Sequence, residues 1–564
     1  MRILIVLLVI LGISGGGYAV YWNKKADEFK QMLVSSVDAI NEEAKPLTKN
    51  APLVHYDSIR ATGFPFAMVL EVSKPVLDLP VSEILKQSLP NPSAAISASW
   101  VEQFSYSDTI SITGNITGDH YTVTFNGDRT NRTMLDGKPR HTWISSSATP
   151  LVWHLGVEQP RGGSPWTMQP IFTDLQTFLL IFRSFDSNVE NEALKDENGT
   201  PLYSFERFFI SLVNEQAGGN NNKLALKINL DKGKATPAFD ALYKDYMLMV
   251  YTEMGEQQML NKIPVMLSAV GEKNSRIDIT YEGPTEEKFF ADPGLNVHFD
   301  INALNFQSAL YNMALQAHIA SIPQGSDRMI SIAVHETSDA TELYDQMLRQ
   351  VIASVITDLA SPAGKSQAET QVAHAIALLG STPEEIAAAI APQSHALGKT
   401  AFDLDLNIKG PVPRQEFMRK GSVSLDELNW VATPYGIKIK GSVAGNPNGI
   451  APTGDLAFNC ISCDALVNDL GGYAIRVETL VDKAYKAPKP YLTKDLLDGV
   501  KQFLHGIAED GNAKDVLIHL AVSNAGFTIS GKQLPYVQAL FSNTIVPRLP
   551  QMSPSAGGQP VPMQ

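Results

Sequence analysis

Phe402, Leu404, Leu406 and Ile408 alternate with Asp403, Asp405, Asn407 and Lys409 until Gly410-Pro411 ends the run. A period of two sends the apolar set to one side of an extended chain and the polar set to the other, which specifies a strand with one covered and one wet face. The pattern recurs. Leu224, Leu226, Ile228 and Leu230 stop at Asp231-Lys232-Gly233, and Ile277, Ile279 and Tyr281 alternate with Arg276, Asp278 and Thr280. Ile110 and Ile112 precede Gly118-Asp119, and Tyr121, Val123 and Phe125 then run to Asn126-Gly127, a hairpin signature. Near the end, Val516, Ile518, Leu520 and Val522 lead through Asn524-Ala525-Gly526 to Phe527 and Ile529. Consecutive antiparallel strands with one apolar face are the economical reading.

Helical spacing interrupts the strands. Leu343, Met347, Val351, Val355 and Leu359 recur every four residues as a single stripe. Gly380 ends that helical region, and Thr382-Pro383-Glu384-Glu385 starts another helix with a cap, a first-turn proline and a capping-box acid. The spacing therefore predicts a helical insertion over 340–392 between two β-rich parts, 51–339 and 393–546. Further helices are expected at Phe172–Phe185, Ser204–Gln216 and Leu496–Ile507, and residues 547–564, rich in Pro, Gly, Ser and Gln, read as a disordered tail. A chain of 564 residues exceeds one ordinary core. The expected class is α+β with a mainly antiparallel sheet.

The N-terminus carries an address. Arg2 precedes an apolar run from Ile3 to Val20, then Tyr21-Trp22 and Lys24-Lys25. That run approaches the ~20 residues a helix needs to cross a bilayer, with Tyr18, Tyr21 and Trp22 at headgroup level. The rival is a cleaved signal peptide, because Gly17-Tyr18-Ala19 has small residues where a signal peptidase reads. Phe29, Met32, Leu33, Val37, Ile40 and Ala44 continue the helical spacing past that point, which favours an uncleaved anchor at 1–23 and a helical stalk at 24–50. Either way the body is exported, and the expected location is the inner membrane, single-pass, with the body in the periplasm.

Two cysteines, Cys460 and Cys463, occur in the chain. In an oxidising compartment this spacing most simply closes a small disulfide. A redox site would need a βαβ context, and zinc would need further Cys or His ligands nearby; neither surrounds the pair. Gly398-Lys399-Thr400 resembles the end of a phosphate loop, but Gln393 stands where its first glycine belongs. His335-Glu336 begins like a zinc-protease motif, with Asp339 where the second His belongs. Asp403 and Asp405 share a face and could touch a cation, though a solvated strand face explains them more simply. Forty-five basic against 59 acidic residues give a net charge of -14, which repels phosphate backbones, so no nucleic-acid partner is expected. No cofactor, metal or catalytic residue is assigned, and nothing in the sequence raises an enzymatic reading.

His55-Tyr56-Asp57, Ala61-Thr62-Gly63-Phe64-Pro65-Phe66 and Val69-Leu70-Glu71-Val72-Ser73-Lys74-Pro75 form a recognisable block. It resembles a domain-of-unknown-function family of N-terminally anchored, exported proteins of Gram-negative bacteria, whose hallmark is a Gly-Phe-Pro-Phe segment after the anchor. The layout is similar to YdgA-like and AsmA-like envelope proteins. Two later blocks fit: Leu428-Asn429-Trp430 with Gly436, Lys440-Gly441-Ser442 and Gly454-Asp455-Leu456, and the run from Asn524 to Gly531 into Leu534-Pro535. No functional residues carry over. Read by themselves, Gly63, Phe64, Pro65 and Phe66 suit an anchor-to-sheet junction, with a tight glycine, an extended Phe64 before proline and two aromatic packing anchors. The resemblance implies a non-catalytic envelope protein that binds or passes an apolar ligand such as lipid. The competing expectation is a structural or interaction scaffold whose sheet is covered by its own helices and whose partner is another envelope protein.

Overall fold

The computed structural model describes residues 22–63, 68–88, 99–157, 182–253, 268–283, 296–342, 398–411, 419–475 and 494–548, with short breaks inside several of these spans. Residues 1–21 of the anchor expected at 1–23, Phe64–Phe66, most of the insertion expected at 340–392, and the tail beyond 548 lie outside the described residues. No described helix is long and apolar enough to cross a membrane. The chain divides into two compact units, residues 1–285 with 301–309, and residues 286–300 with 310–564.

The first unit begins with helical residues between 22 and 48 (α1), then β1 (Val54–His55), β2 (Ser58–Thr62), β3 (Met68–Ser73), β4 (Val76–Leu79) and α2 (Val81–Ser88). It continues through β5 (Trp100–Tyr106), β6 (Thr109–Gly114), β7 (His120–Phe125), β8 (Arg129–Leu135), β9 (Lys138–Ser146) and β10 (Leu151–Val157). Longer strands follow: β11 (Phe182–Asp196), β12 (Pro201–Ala217) and β13 (Asn221–Ala235), then α3 (Pro237–Glu253) and β14 (Lys273–Gly283). β15 (Val297–Gln307) falls at the division.

Antiparallel pairing organises this unit around β11. Its first half, residues 182–188, pairs with β10, and its second half, residues 193–196, pairs with β9 along the same edge. Two arms therefore diverge from one strand. The first runs β10–β7–β6–β3–β2 and the second β9–β8–β5–β4–β1. At the branch, Asn191 has a left-handed φ of 51°, and the Glu192 carboxylate pairs with Arg129 and accepts from Ser145.

The apolar face of the first arm carries Met68, Leu70, Ile112, Tyr121 and Leu155, and α1 covers it with Trp22, Ala26, Phe29 and Leu33. Leu70 is fully buried. Trp22 packs against this cluster, so the helical residues that follow the expected anchor lie against the sheet. Asn41 extends the contact: its amide donates to Val54 O at 2.9 Å and its oxygen accepts from Val54 N at 2.8 Å, pairing with β1 as a peptide group would.

One expectation is overturned here. Ser204–Gln216 lies inside β12 and is not a helix. Phe205, Phe208, Phe209 and Leu212 satisfy helical spacing, but Phe208, Ile210 and Leu212 also satisfy period two, and β11 and β13 offer register partners on both sides. Aromatic and β-branched side chains favour the pleated surface when both neighbours are present. The helix expected at Phe172–Phe185 likewise ends in strand, because β11 starts at Phe182; residues 172–181 lie outside the described residues.

The second unit contains β16 (Asn312–Gln324), β17 (Asp327–Asp339), β18 (Lys399–Pro411), β19 (Ser422–Ala432), β20 (Tyr435–Ala444), β21 (Thr453–Ile461), α4 (Lys494–Ile507), β22 (Val516–Ser523), β23 (Gly526–Ile529), β24 (Lys532–Gln533) and α5 (Leu534–Thr544). Consecutive strands pair antiparallel from β16 to β24. The mainly antiparallel sheet and the helix at 496–507 agree with the sequence reading.

Candidate functional site

Register turns the alternation of β16–β22 into one two-sided surface. On the apolar side, Ile319, Ile332, Leu406, Leu425, Gly441, Leu456, Leu520 and Ile529 face one another in a row across the strands. A parallel row runs Ala317, Val334, Leu404, Leu428, Ile439, Phe458 and Ile518. Burial along this face is uneven. Cys460, Val516 and Ile518 are 2%, 0% and 6% exposed, because α4 and α5 bring Phe503, Leu504, Val537 and Leu540 onto them. Ile319, Ile332, Leu406 and Leu425, further along the same face, stay half-buried.

Cys460 and Cys463 lie at disulfide distance, with Cα atoms 5.2 Å apart, inside the part covered by α4 and α5. The turn between them is built to hold the pair. Ser462 adopts a left-handed φ of 52°, and its N–H donates to Asp515 Oδ1 at 2.9 Å. The other sequence-marked residues scatter. Gly63 ends β2 with a φ of 93°, while Phe64, Pro65 and Phe66 lie outside the described residues. Lys399 and Thr400 begin β18, where Thr400 shares a 2.8 Å hydrogen bond with Ser338 and Lys399 lies 3.7 Å from Asp339, so the phosphate-loop likeness is accounted for by a strand. Asp339 itself is held below the usual carboxylate range, chiefly by the Thr341 hydroxyl at 2.9 Å.

The polar side of the same sheet carries His335, Asp403, Asn429, Lys438 and Asn459 in one row. His335 pairs with Asp403, which also accepts from Asn429 at 3.4 Å, and Asp405 accepts from Asn407 at 3.4 Å. Among the described residues, no group of three or more His, Cys, Asp or Glu could hold a metal ion. Asp403 and Asp405 are thus spent on neighbours within the sheet.

A groove of about 790 Å³ opens on this polar side across β19–β22, lined by Asp426, Glu427, Lys438, Lys440, Asp455 and His519 among others. Its origin is local. β19 carries a bulge between Leu425 and Leu428, which takes Asp426 and Glu427 out of the pairing with β20 while Glu427 stays opposite Asp405 of β18, and Gly441 stands across the bulge with a φ of 149°. Bulges re-aim side chains and bend a sheet. The two lysines sit between three carboxylates, and His519 lies 3.3 Å from Glu509, so the groove carries mixed charge. Sequence reading missed it because a bulge is a register event; the sole local sign was Gly441 within an otherwise alternating run.

No protein-family model and no curated protein matches the chain.

Proposed function

We propose that the chain is a non-catalytic, membrane-tethered periplasmic protein of the cell envelope, and that the apolar face of β16–β19 binds or passes an apolar ligand such as lipid. One observation carries this reading: Ile319, Ile332, Leu406 and Leu425 form a continuous apolar row that stays half-buried, although the same face is fully packed where α4 and α5 lie on it. Apolar surface in water costs about 25 cal/mol per Å², so a ligand that covers the row gains that free energy. The resemblance of the Gly63–Phe66 block to anchored envelope proteins supports the same reading, as does the apolar run from Ile3 to Val20.

The scaffold reading draws on the helices themselves. α4 and α5 already cover the β20–β23 end of the face, which is how a sheet with no ligand would close its core. Photo-crosslinking in the full-length chain separates the two. A photoreactive residue at Leu406 should give lipid adducts by mass spectrometry, and one at Asn407, on the opposite face, should give none. Adducts at neither position, or equally at both, would leave the scaffold. Sequencing the mature N-terminus tests the tether: a chain beginning at Val20 would replace the anchor with a cleaved signal peptide.

A further inference from the structure

The second arm of the first unit buries a carboxylic acid. Glu102 on β5 is 5% exposed, and it stands in register with Thr133 on β8, fully buried, which stands in register with His141 on β9. α3 lies over this row. Tyr246 packs edge-on against Trp100 at 5.7 Å and against Trp143 at 6.3 Å, and Asp245 sits 2.9 Å from His141 Nε2 and 3.1 Å from Arg140.

The hydrogen bonding of Glu102 is lopsided. Oε1 accepts from Trp100 Nε1 at 2.8 Å and from Thr133 Oγ1 at 2.9 Å. Oε2 is buried and has no hydrogen-bond partner among the described residues, and the same holds for Oδ1 of Asn131, the residue diagonal to Glu102 on β8 and within reach of its carboxyl. Two buried acceptors without donors cost about 1–3 kcal/mol each. A single proton on Oε2 would satisfy both, since a neutral carboxyl donates one hydrogen bond and an amide oxygen accepts it.

We propose that Glu102 is held as a neutral acid whose Oε2–H donates to Asn131 Oδ1, and that loss of this proton releases α3 from the β5–β8–β9 face. An ionised Glu102 would be a buried charge with no cation beside it among the described residues. Among the described residues, Tyr246 and Asp245 from α3, Tyr243 one turn earlier, and His141 from β9 are the titratable groups around it; Arg140 is engaged by Asp245 at the exposed edge. α2 contributes the Ser82 hydroxyl, bonded to the Trp100 backbone at 3.3 Å, and β4 contributes Leu79. Asp78 and Arg132 are taken up by Gln103 on the opposite side of β5. The negative charge would thus develop beside the Tyr246 ring and the Trp100 contact that seat α3.

Burial raises the Glu102 pKa above the usual carboxylate value, against smaller opposing contributions from Trp100 and Thr133, which donate to Oε1. The sign follows from proton linkage. A folded pKa raised above the unfolded one gives stability that is full below the unfolded value and is lost as pH rises through the folded value. Release of α3 should therefore grow by about tenfold per pH unit across that interval and level off above it.

Infrared spectroscopy of the full-length protein at neutral pH is the direct test, because ordinary carboxylates are then ionised and a neutral carboxyl stands apart by its C=O stretch. The band should be present in the wild type, disappear on raising the pH, and be absent in Glu102→Gln. In that variant the amide nitrogen donates permanently to Asn131, so hydrogen exchange of residues 237–253, corrected for intrinsic rate, should lose its pH dependence. If Glu102→Gln does not fold, Thr133→Val, which removes one donor to Oε1, should shift the band. Absence of the band at neutral pH, its persistence in Glu102→Gln, an unshifted band in Thr133→Val, or matching α3 exchange profiles in wild type and Glu102→Gln would overturn the proposal.

Discussion

Substituting Gly441 by alanine tests whether the bulged groove depends on close approach of β20 to β21. A Cβ at this position would overlap the Asp455 carbonyl oxygen and lie 2.7 Å from Leu456 Cα. Both are backbone atoms of the neighbouring strand and cannot rotate aside. Overpacking against an immobile neighbour costs about 1–3 kcal/mol, and forcing a side chain into this glycine-favoured backbone region costs about 1–3 kcal/mol more. The second unit should therefore lose about 2–6 kcal/mol, within the reach of a marginally stable domain to unfold. Gly531 is the control: its φ of 74° is left-handed too, but nothing lies within 4 Å of an added Cβ. Gly531→Ala should cost the backbone part alone, about 1–2 kcal/mol. Hydrogen exchange of peptides covering 435–461 along a urea series reads the difference locally. Equal costs for the two alanines would refute the steric argument and with it the account of how the groove is shaped.

Three further outcomes are expected. Cys460 and Cys463 should resist thiol labelling until reduced, and Cys460→Ser with Cys463→Ser should cost about 2 kcal/mol, the loop-closure value for so short a ring, read by urea unfolding. Phe29→Ala, at a residue 3% exposed between α1 and the first arm, should cost about 3–5 kcal/mol and expose α1 to limited proteolysis; an unchanged digestion pattern would mean that the helix does not depend on this contact. Burial lowers the His141 pKa, with Asp245 opposing, so its contribution is present above the unfolded histidine pKa and lost as pH falls through the lower folded one. His141→Gln should flatten that acid limb in a thermal-melt series, and an unaltered limb would assign it to other groups.

How far the sequence could be read depended on whether one segment or several carried the signal. Phe402–Ile408, Leu224–Leu230 and Val516–Val522 announce β18, β13 and β22 because each states its own period. Leu496–Ile507 announces α4 the same way. Ser204–Gln216 misled because its aromatic residues satisfy two periods at once, and the partners that decide between them, Phe185–Glu190 and Leu224–Asp231, lie elsewhere in the chain. Glu102, Thr133 and His141 were illegible for a related reason: three unremarkable polar residues become one row, buried at Glu102 and Thr133, only through the pairing of β5, β8 and β9. A faint sign was present in Trp100-x-Glu102, an acid in the alternating position behind an aromatic residue. The bulge at Asp426 and Glu427 left no pattern beyond Gly441, since register is a property of strand pairs.

The branching of the sheet at β11 sets an order on assembly. β9 and β10 both complete their ladders on this strand, so until residues 182–196 arrive each arm ends in an open edge. Such edges are templates for pairing with any other extended chain. A chain synthesised or threaded across a membrane from its N-terminus would present both edges while β11 is still to come, and neither arm could close first at the expense of the other. One strand thus acts as the clasp of two half-built sheets, and a substitution that delays its docking would be felt as aggregation during biogenesis before it registered as a loss of stability in the finished protein.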